Sequence, residues 1–247
     1  MDAAFSGAHE YDRHARVQAR VARRLAERVG ALDLPDAPRV LEIGCGTGLL
    51  TEALIAQGVG GEWLVSDLSP AMLERCRARV GEAPGREFAV LDGEHGARPQ
   101  QAPFDLIVSS LTFQWFGDKA AAVARLMDWL APGGRLIFTT LASGTFAEWR
   151  AAHSAEGLVA GTPGFPSAAD LGTMHPMQEI IVDREVEEHG SAREFLRALK
   201  AIGAGTAAAR HRPLSPGALR RVMARFERAG ASATYEVVTC HCRKAAS

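Results

Sequence analysis

The sequence predicts a doubly wound α/β domain: a mostly parallel sheet covered by helices on both faces, closed by an antiparallel last strand and interrupted late by a helical insertion. Three observations predict it. Short apolar runs alternate with stretches of helical periodicity from Val40 to Thr140. The first run breaks into three glycines at alternate positions, Gly44, Gly46 and Gly48, just ahead of the amphipathic stretch Leu49, Leu50, Ala53 and Leu54. After Leu141 the alternation stops, and a β-branched run, Thr234–Cys242, returns only near the end of the chain.

Each element follows from its pattern. Val17, Val21, Leu25 and Val29 recur at four-residue spacing among arginines, which predicts an amphipathic helix from about Tyr11 to Val29, ended by the Pro35–Pro38 segment. Five strands follow, at Val40–Ile43, Trp63–Ser66, Phe88–Leu91, Leu106–Ser109 and Leu136–Thr140, with helices around Leu49–Gln57, Ala71–Val80 and Lys119–Leu130. Beyond them, Thr145–Leu158 reads as helical, Gly161–Pro166 as a rigid turn and Glu179–Val186 as a strand. Ser191–Ile202 is amphipathic and stops at Gly203, and Pro216–Arg228 is a further helix. With Thr234–Cys242 the sheet has seven strands. The expected organisation is an N-terminal helical segment (1–37) covering the ligand, a ligand-binding core (38–141), a lid and substrate-recognition insertion (142–212), and a closing helix and strand (213–247).

A chain of 247 residues, 47% hydrophobic and 23% charged, is long enough to bury a full core. Its 28 Lys and Arg nearly balance 29 Asp and Glu, so global charge predicts neither a nucleic-acid nor a membrane partner. The four cysteines, Cys45, Cys76, Cys240 and Cys242, have the spacing of neither a zinc site nor a disulfide framework, and no metal is expected. No apolar run reaches the length of a membrane span, and the N-terminal residues have no signal-peptide core. A cytoplasmic protein is expected.

The glycine turn carries the chemistry. Glycine permits positive φ and lets a ligand approach the main chain. Glu42, just ahead of Gly44, would repel a pyrophosphate but attract a ligand bearing an ammonium and a sulfonium, and S-adenosylmethionine is such a ligand. The second strand ends on Asp67, placed to accept the ribose hydroxyls of an adenosine; the plainer reading is a helix cap ahead of Ser69-Pro70. Asp92 ends the third strand, where it would accept the adenine amino group while backbone beside Gly93 bonds a ring nitrogen; an ordinary Asp-Gly turn is the plainer reading. Met72 would lie on the purine face or fill core.

This ordered series, Glu42-x-Gly44-x-Gly46-x-Gly48, Asp67, Asp92, Phe104–Ser109 and Leu130-Ala131-Pro132-Gly133-Gly134, resembles the class I S-adenosylmethionine-dependent methyltransferases. The resemblance covers about Arg39 to Leu141 and implies a Rossmann-like sheet. It also implies cofactor contacts at Gln18, Glu42, Gly44, Cys45, Gly46, Asp67, Leu68, Met72, Asp92, Gly93 and Ser109. A dehydrogenase would want G-x-G-x-x-G and a Tyr-x-x-x-Lys pair, and neither Tyr11 nor Tyr235 has Lys four residues later.

Further segments narrow the family. Phe5-Ser6-Gly7-Ala8, Tyr11-Asp12, Ala15 and Gln18, then Ser110–Trp115, Phe138–Leu141 with Gly144-Thr145-Phe146 and Glu148, and Leu196–Lys200 with Gly203-Ala204 together resemble the malonyl-acyl-carrier-protein O-methyltransferases. That resemblance implies methylation of the free carboxylate of malonyl-acyl carrier protein or malonyl-coenzyme A, at the start of pimeloyl assembly for biotin, with S-adenosylhomocysteine as by-product. The substrate carboxylate would then need a partner, for which Tyr11, Gln114, Trp115 and Arg150 are candidates, Tyr11 and Trp115 being otherwise plain core aromatics. Arg193, Arg197 and Lys200, with Arg210 and Arg212 next in line, would meet an acidic carrier, their plainer reading being a solvated helix face. The Leu91–Ala97 segment departs from the family pattern after Asp92. Two other readings remain: a small-molecule carboxylate or quinone methyltransferase of the same fold, and a cofactor-binding protein without transferase activity.

Overall fold

The computed structural model describes residues 15–201 and 213–246. Helix α1 (Arg16–Gly30) leads into β1 (Arg39–Ile43), α2 (Leu49–Ala56), β2 (Glu62–Asp67), α3 (Pro70–Val80) and β3 (Arg86–Val90). Then come β4 (Phe104–Ser109), a single 3-10 turn (Phe113–Trp115), α4 (Lys119–Asp128) and β5 (Leu130–Leu141). The remainder is α5 (Ala147–Ser154), α6 (Ala168–Thr173), β6 (Glu179–Glu188), α7 (Ala192–Ala201), α8 (Pro216–Arg228) and β7 (Ser232–Arg243). The short α6 was not expected from the sequence.

The seven strands form one sheet in the order β3-β2-β1-β4-β5-β7-β6. β1 pairs in parallel with β2 and β4, β2 with β3, and β4 with β5. β7 runs antiparallel: Lys244 N donates to Gly134 O while Ala142 N donates to Glu236 O, so partners rise along β5 as they fall along β7. The same inversion relates β6 to β7, through Gln178 N to His241 O and His189 N to Ala231 O. The order reverses at β1/β4, the switch point at which α/β sheets bind ligands.

β5 begins earlier than its apolar run. Phe104 pairs with Leu130 but Leu106 with Arg135, so Ala131–Gly134 bulge out of the ladder. A Cβ at Gly134 would stand 2.9 Å from the carbonyl oxygens of both Ala131 and Phe104, so this bulge accepts only glycine there.

The chain divides into two compact units that interleave along the sequence. One holds the described residues of 18–140, 168–182 and 238–247, the other the described residues of 1–17, 141–167 and 183–237. In the first, Ala22, Leu25, Ala26 and Val29 of α1 join Leu50 and Leu54 of α2 and Leu73 and Cys76 of α3 over Val40, Val65, Leu106 and Val108 of the sheet. The alternate residues Leu41, Ile43, Leu64 and Ile107 point to the other face and are equally buried, which is why these strands read as continuous apolar runs. The second unit has an aromatic core. Phe195 lies 5.7 Å from Phe146, 5.4 Å from Trp149 and 5.0 Å from Phe226, and Phe146 packs edge-on against Tyr235 at 5.0 Å.

Candidate active site

The glycine loop leaves β1 with all three glycines left-handed: φ is +70 at Gly44, +55 at Gly46 and +88 at Gly48. This conformation disfavours any side chain, and at Gly44 there is no room for one, since a Cβ would meet Thr112 Oγ1 at 2.3 Å. The loop is held to the next strand tip. Gly46 N donates to Asp67 Oδ2 at 2.8 Å, Ser69 N donates to Asp67 Oδ1 at 2.8 Å, and Cys45 N donates to Ser66 O at 2.9 Å. Asp67 is therefore a cap and a clamp at once: it orders the approach to α3, whose N-cap Ser69 makes no side-chain cap bond, and it fixes the glycine loop. Each of its oxygens keeps a second lone pair for a ligand hydroxyl. Burial raises its carboxyl pKa, while the backbone donors at Ser69, Gly46 and Leu68 work the other way.

Glu42 sits beneath the loop and is fully buried. Its Oε2 accepts from Thr51 Oγ1 at 2.8 Å, and its carbonyl accepts from Ser66 Oγ at 2.6 Å. Burial, then the neighbouring Cys76 thiol, push its pKa up to about 8; the Thr51 hydroxyl opposes the rise and Asp67 adds to it. Burial thus favours the neutral carboxyl, and a cation brought beside it would lower the pKa again. Cys45 and Cys76 are buried against it, with Thr51 Oγ1 3.3 Å from Cys76 Sγ.

At the third strand tip, Asp92 Oδ1 accepts the N–H of Glu94 at 2.8 Å and of His95 at 3.0 Å, so the ordinary turn exists. Oδ2 carries no hydrogen bond among the described residues. Gly93 is jammed against β1, and a Cβ there would meet Ile43 Cγ2 at 2.3 Å. Met72 is buried on α3, whereas Leu68 is 53% exposed. Ser109 Oγ is buried and donates to Ile43 O at 2.8 Å, so its hydroxyl proton is already used. Gln18, on α1, has its Oε1 buried without a partner among the described residues.

The segment after β4 is anchored by aromatics. Phe113 stacks on Phe138 at 3.9 Å and packs on Phe116 at 4.6 Å, so the intervening Gln114 and Trp115 turn away, and Trp115 is 38% exposed. Leu111 is forced to φ +51, and Gln114 Nε2 donates to its carbonyl. The amide atom facing a carbonyl must be the NH2, so Gln114 is left presenting Oε1, an acceptor, buried and without a partner among the described residues. Arg150, on α5, donates to Thr145 O and Ser143 O and so holds the turn ahead of its own helix. Tyr11, Arg210 and Arg212 lie outside the described residues.

The structure thus brings Glu42, the glycine loop, Asp67 and Asp92–Gly93 to adjoining strand tips of one unit. Sequence reasoning missed Thr51 under Glu42, Thr112 against Gly44, and Arg125, whose Nη2 donates to Gly93 O at 2.6 Å. Thr112 Oγ1 donates to Gly44 O at 3.2 Å across 68 positions, and a contact that long-range leaves no local pattern.

The buried acid yields a prediction with a definite sign. The unfolded chain ionises Glu42 near the ordinary value of 4.5, the folded one near 8, so stability is complete below 4.5 and falls as pH rises through about 8. Glu42→Gln should abolish this loss and raise ligand-free stability at pH 8 by a few kcal/mol, on the order set by the size of the shift. Urea unfolding of both proteins at pH 5 and pH 8 checks it; parallel pH dependences would remove the buried-acid account.

A family model described as a methyltransferase domain matches residues 41–136. The biotin biosynthesis bifunctional protein BioCD of Bordetella avium is 44% identical over 239 residues, covering 97% of this chain and 51% of that protein, so the chain spans about half of that relative's length. A malonyl-acyl-carrier-protein O-methyltransferase of Magnetococcus marinus is 42% identical over 240 residues, covering 95% of this chain and 88% of the relative. Among solved structures, an S-adenosylmethionine-dependent methyltransferase from Mesorhizobium loti superposes with a TM-score of 0.53 at 20% identity, covering 90% of this chain and 98% of that one, a likeness of fold. Identity near two-fifths along nearly the whole of the Magnetococcus relative, with the strand-tip acids and glycine loop in place, assigns the chain to the malonyl-acyl-carrier-protein O-methyltransferase family.

Proposed function

We propose that this chain transfers the methyl group of S-adenosylmethionine to the free carboxylate of a malonyl thioester, giving the methyl ester that begins pimeloyl assembly in biotin synthesis. The observation carrying this reading is the end-to-end likeness to the Magnetococcus relative, whose name gives O-methylation of malonyl-acyl carrier protein. The cofactor site supports it. S-adenosylmethionine would supply an electrophilic sulfonium methyl. Asp67 would accept the ribose hydroxyls, Asp92 Oδ2 and the Gly93 backbone would take the adenine edge, and Glu42 would face the ammonium. The open space at Gly46, where a Cβ would meet nothing within 4 Å, leaves the main chain approachable there.

The acceptor carboxylate has an ordinary pKa near ~4 and is ionised at neutral pH, so no general base is required of this chain. Its residues are left with alignment and the exclusion of water, which favours a transfer that neutralises opposite charges. Among the described residues, Trp115, whose indole N–H has no acceptor there, and Gln114 and Arg150, each of which keeps a further N–H beyond those bonded to backbone carbonyls, remain the candidates for the substrate carboxylate. Residues 142–212 would recognise the acceptor. Four unpaired, buried cysteines suit the cytoplasm.

On α7, Phe195 and Leu199 are buried while Arg193, Arg197 and Lys200 are exposed and form no salt bridge among the described residues. This face would meet an acidic carrier protein.

The reaction is tested by mass spectrometry of malonyl-acyl carrier protein after incubation with enzyme and S-adenosylmethionine. A methyl ester on the malonyl group is expected. Methylation of a free dicarboxylate or a quinone with the thioester untouched would favour the small-molecule reading, and transfer to neither would favour a non-catalytic one. Reversing Arg193, Arg197 and Lys200 to glutamate should lower kcat/KM for the carrier substrate far more than for malonyl-coenzyme A, by a factor that shrinks as salt rises. An equal loss on both substrates, or none on the carrier, would move docking elsewhere.

A further inference from the structure

We propose that Arg125 is the positioning residue for purine selection: it holds the Gly93 carbonyl so that the Asp92 carboxylate is aimed to accept an exocyclic amino group. This rests on the reading of Asp92 and Gly93 as the adenine end of the cofactor site.

One peptide unit, between Gly93 and Glu94, is gripped from both ends. Its N–H goes to Asp92 Oδ1 at 2.8 Å, and its C=O accepts from Arg125 Nη2 at 2.6 Å. Arg125 Nη1 reaches a second carbonyl of the same turn, Gly96 O, at 3.4 Å, and Gly96 N donates back to Asp92 O at 2.8 Å. Two carbonyls of one turn are therefore spanned by one planar fork, a geometry a point-charge ammonium does not reproduce. The guanidinium is itself placed, lying 5.3 Å over the ring of Trp129. The start of the same helix grips the turn again: Glu94 Oε1 accepts Asp118 N at 2.7 Å, and Asp118 caps α4 by accepting Ala121 N on Oδ1 at 2.9 Å.

The consequence falls on Asp92. With Oδ1 consumed by the Glu94 and His95 amides, the carboxylate cannot rotate without breaking both bonds. Oδ2, with no donor among the described residues, is left as a fixed acceptor. Such an atom welcomes the amino group of a 6-aminopurine and repels the oxygen of a 6-oxopurine. If the Gly93–Glu94 peptide were free to turn, Oδ1 would lose its anchor and the distinction would blur. Arg125 thus acts through Asp92, from a helix that follows the next strand.

The test compares affinities for S-adenosylhomocysteine and S-inosylhomocysteine, by calorimetry, in the wild type, Arg125→Ala and Arg125→Lys. The wild type should prefer the adenosyl compound. Arg125→Ala should weaken adenosyl binding roughly tenfold to a hundredfold, the span of one charge-assisted hydrogen bond, with inosyl binding little changed, so that the preference collapses. The kcat at saturating cofactor should hold while KM for cofactor rises. If Arg125→Ala does not fold, Arg125→Lys decides: it should lose part of the preference, because one ammonium cannot span both carbonyls. Equal weakening of both ligands in the alanine variant, or an undiminished preference in the lysine variant, overturns the proposal while leaving the adenine reading intact. A wild type with no preference for the adenosyl compound overturns both.

Discussion

The carboxylate of Asp67 is the hinge pin of the site. By accepting Gly46 N on one oxygen and Ser69 N on the other, it ties the loop after β1 to the turn after β2. A loop whose three glycines all sit at positive φ has little of its own to hold it, since glycine gives up more conformational entropy on ordering than any other residue. The opposing constraint is a charge-assisted bond in a half-dry setting, stronger than the same bond in water. Glu42 completes the arrangement from below, anchored by Thr51 and Ser66 and buried deeply enough to favour its neutral form. The ligand-free site is thus kept ordered by the groups that a nucleoside would use.

Much of this was legible in the sequence because it is local. Both faces of β1, β2 and β4 are covered, so their strands show as continuous apolar runs, and the crossover helices show as four-residue periodicity. The glycine spacing and the acids closing strands one to three follow from the turn each strand tip must make. The last strand was readable from the β-branched run at Thr234, though its direction comes from its hydrogen bonds. Less local features were hidden. The bulge at Ala131–Gly134 lengthens β5 beyond its apolar stretch, and α6 is too short to show a period.

Side-chain roles were the least legible part. Nothing near Gly93 in the sequence announces Arg125, and nothing near Gly44 announces Thr112, because those contacts arise only when crossovers stack on the sheet. Gln114 and Arg150 were candidates because a substrate carboxylate would need a hydrogen-bond donor, which says nothing of the local bonds each side chain makes. In the structure the first donates to Leu111 O and the second to Ser143 O and Thr145 O, so both stabilise strained turns at Leu111 and Phe146, residues at φ +51 and +61.

The central claim is that the Asp67 carboxylate holds both the glycine loop and an adenosine ribose. Calorimetry of S-adenosylhomocysteine binding to Asp67→Ala, shown by circular dichroism to be folded, addresses it directly. Two lost charge-assisted hydrogen bonds and a freed loop should weaken binding at least roughly a hundredfold. Unchanged affinity in the folded variant would contradict the account.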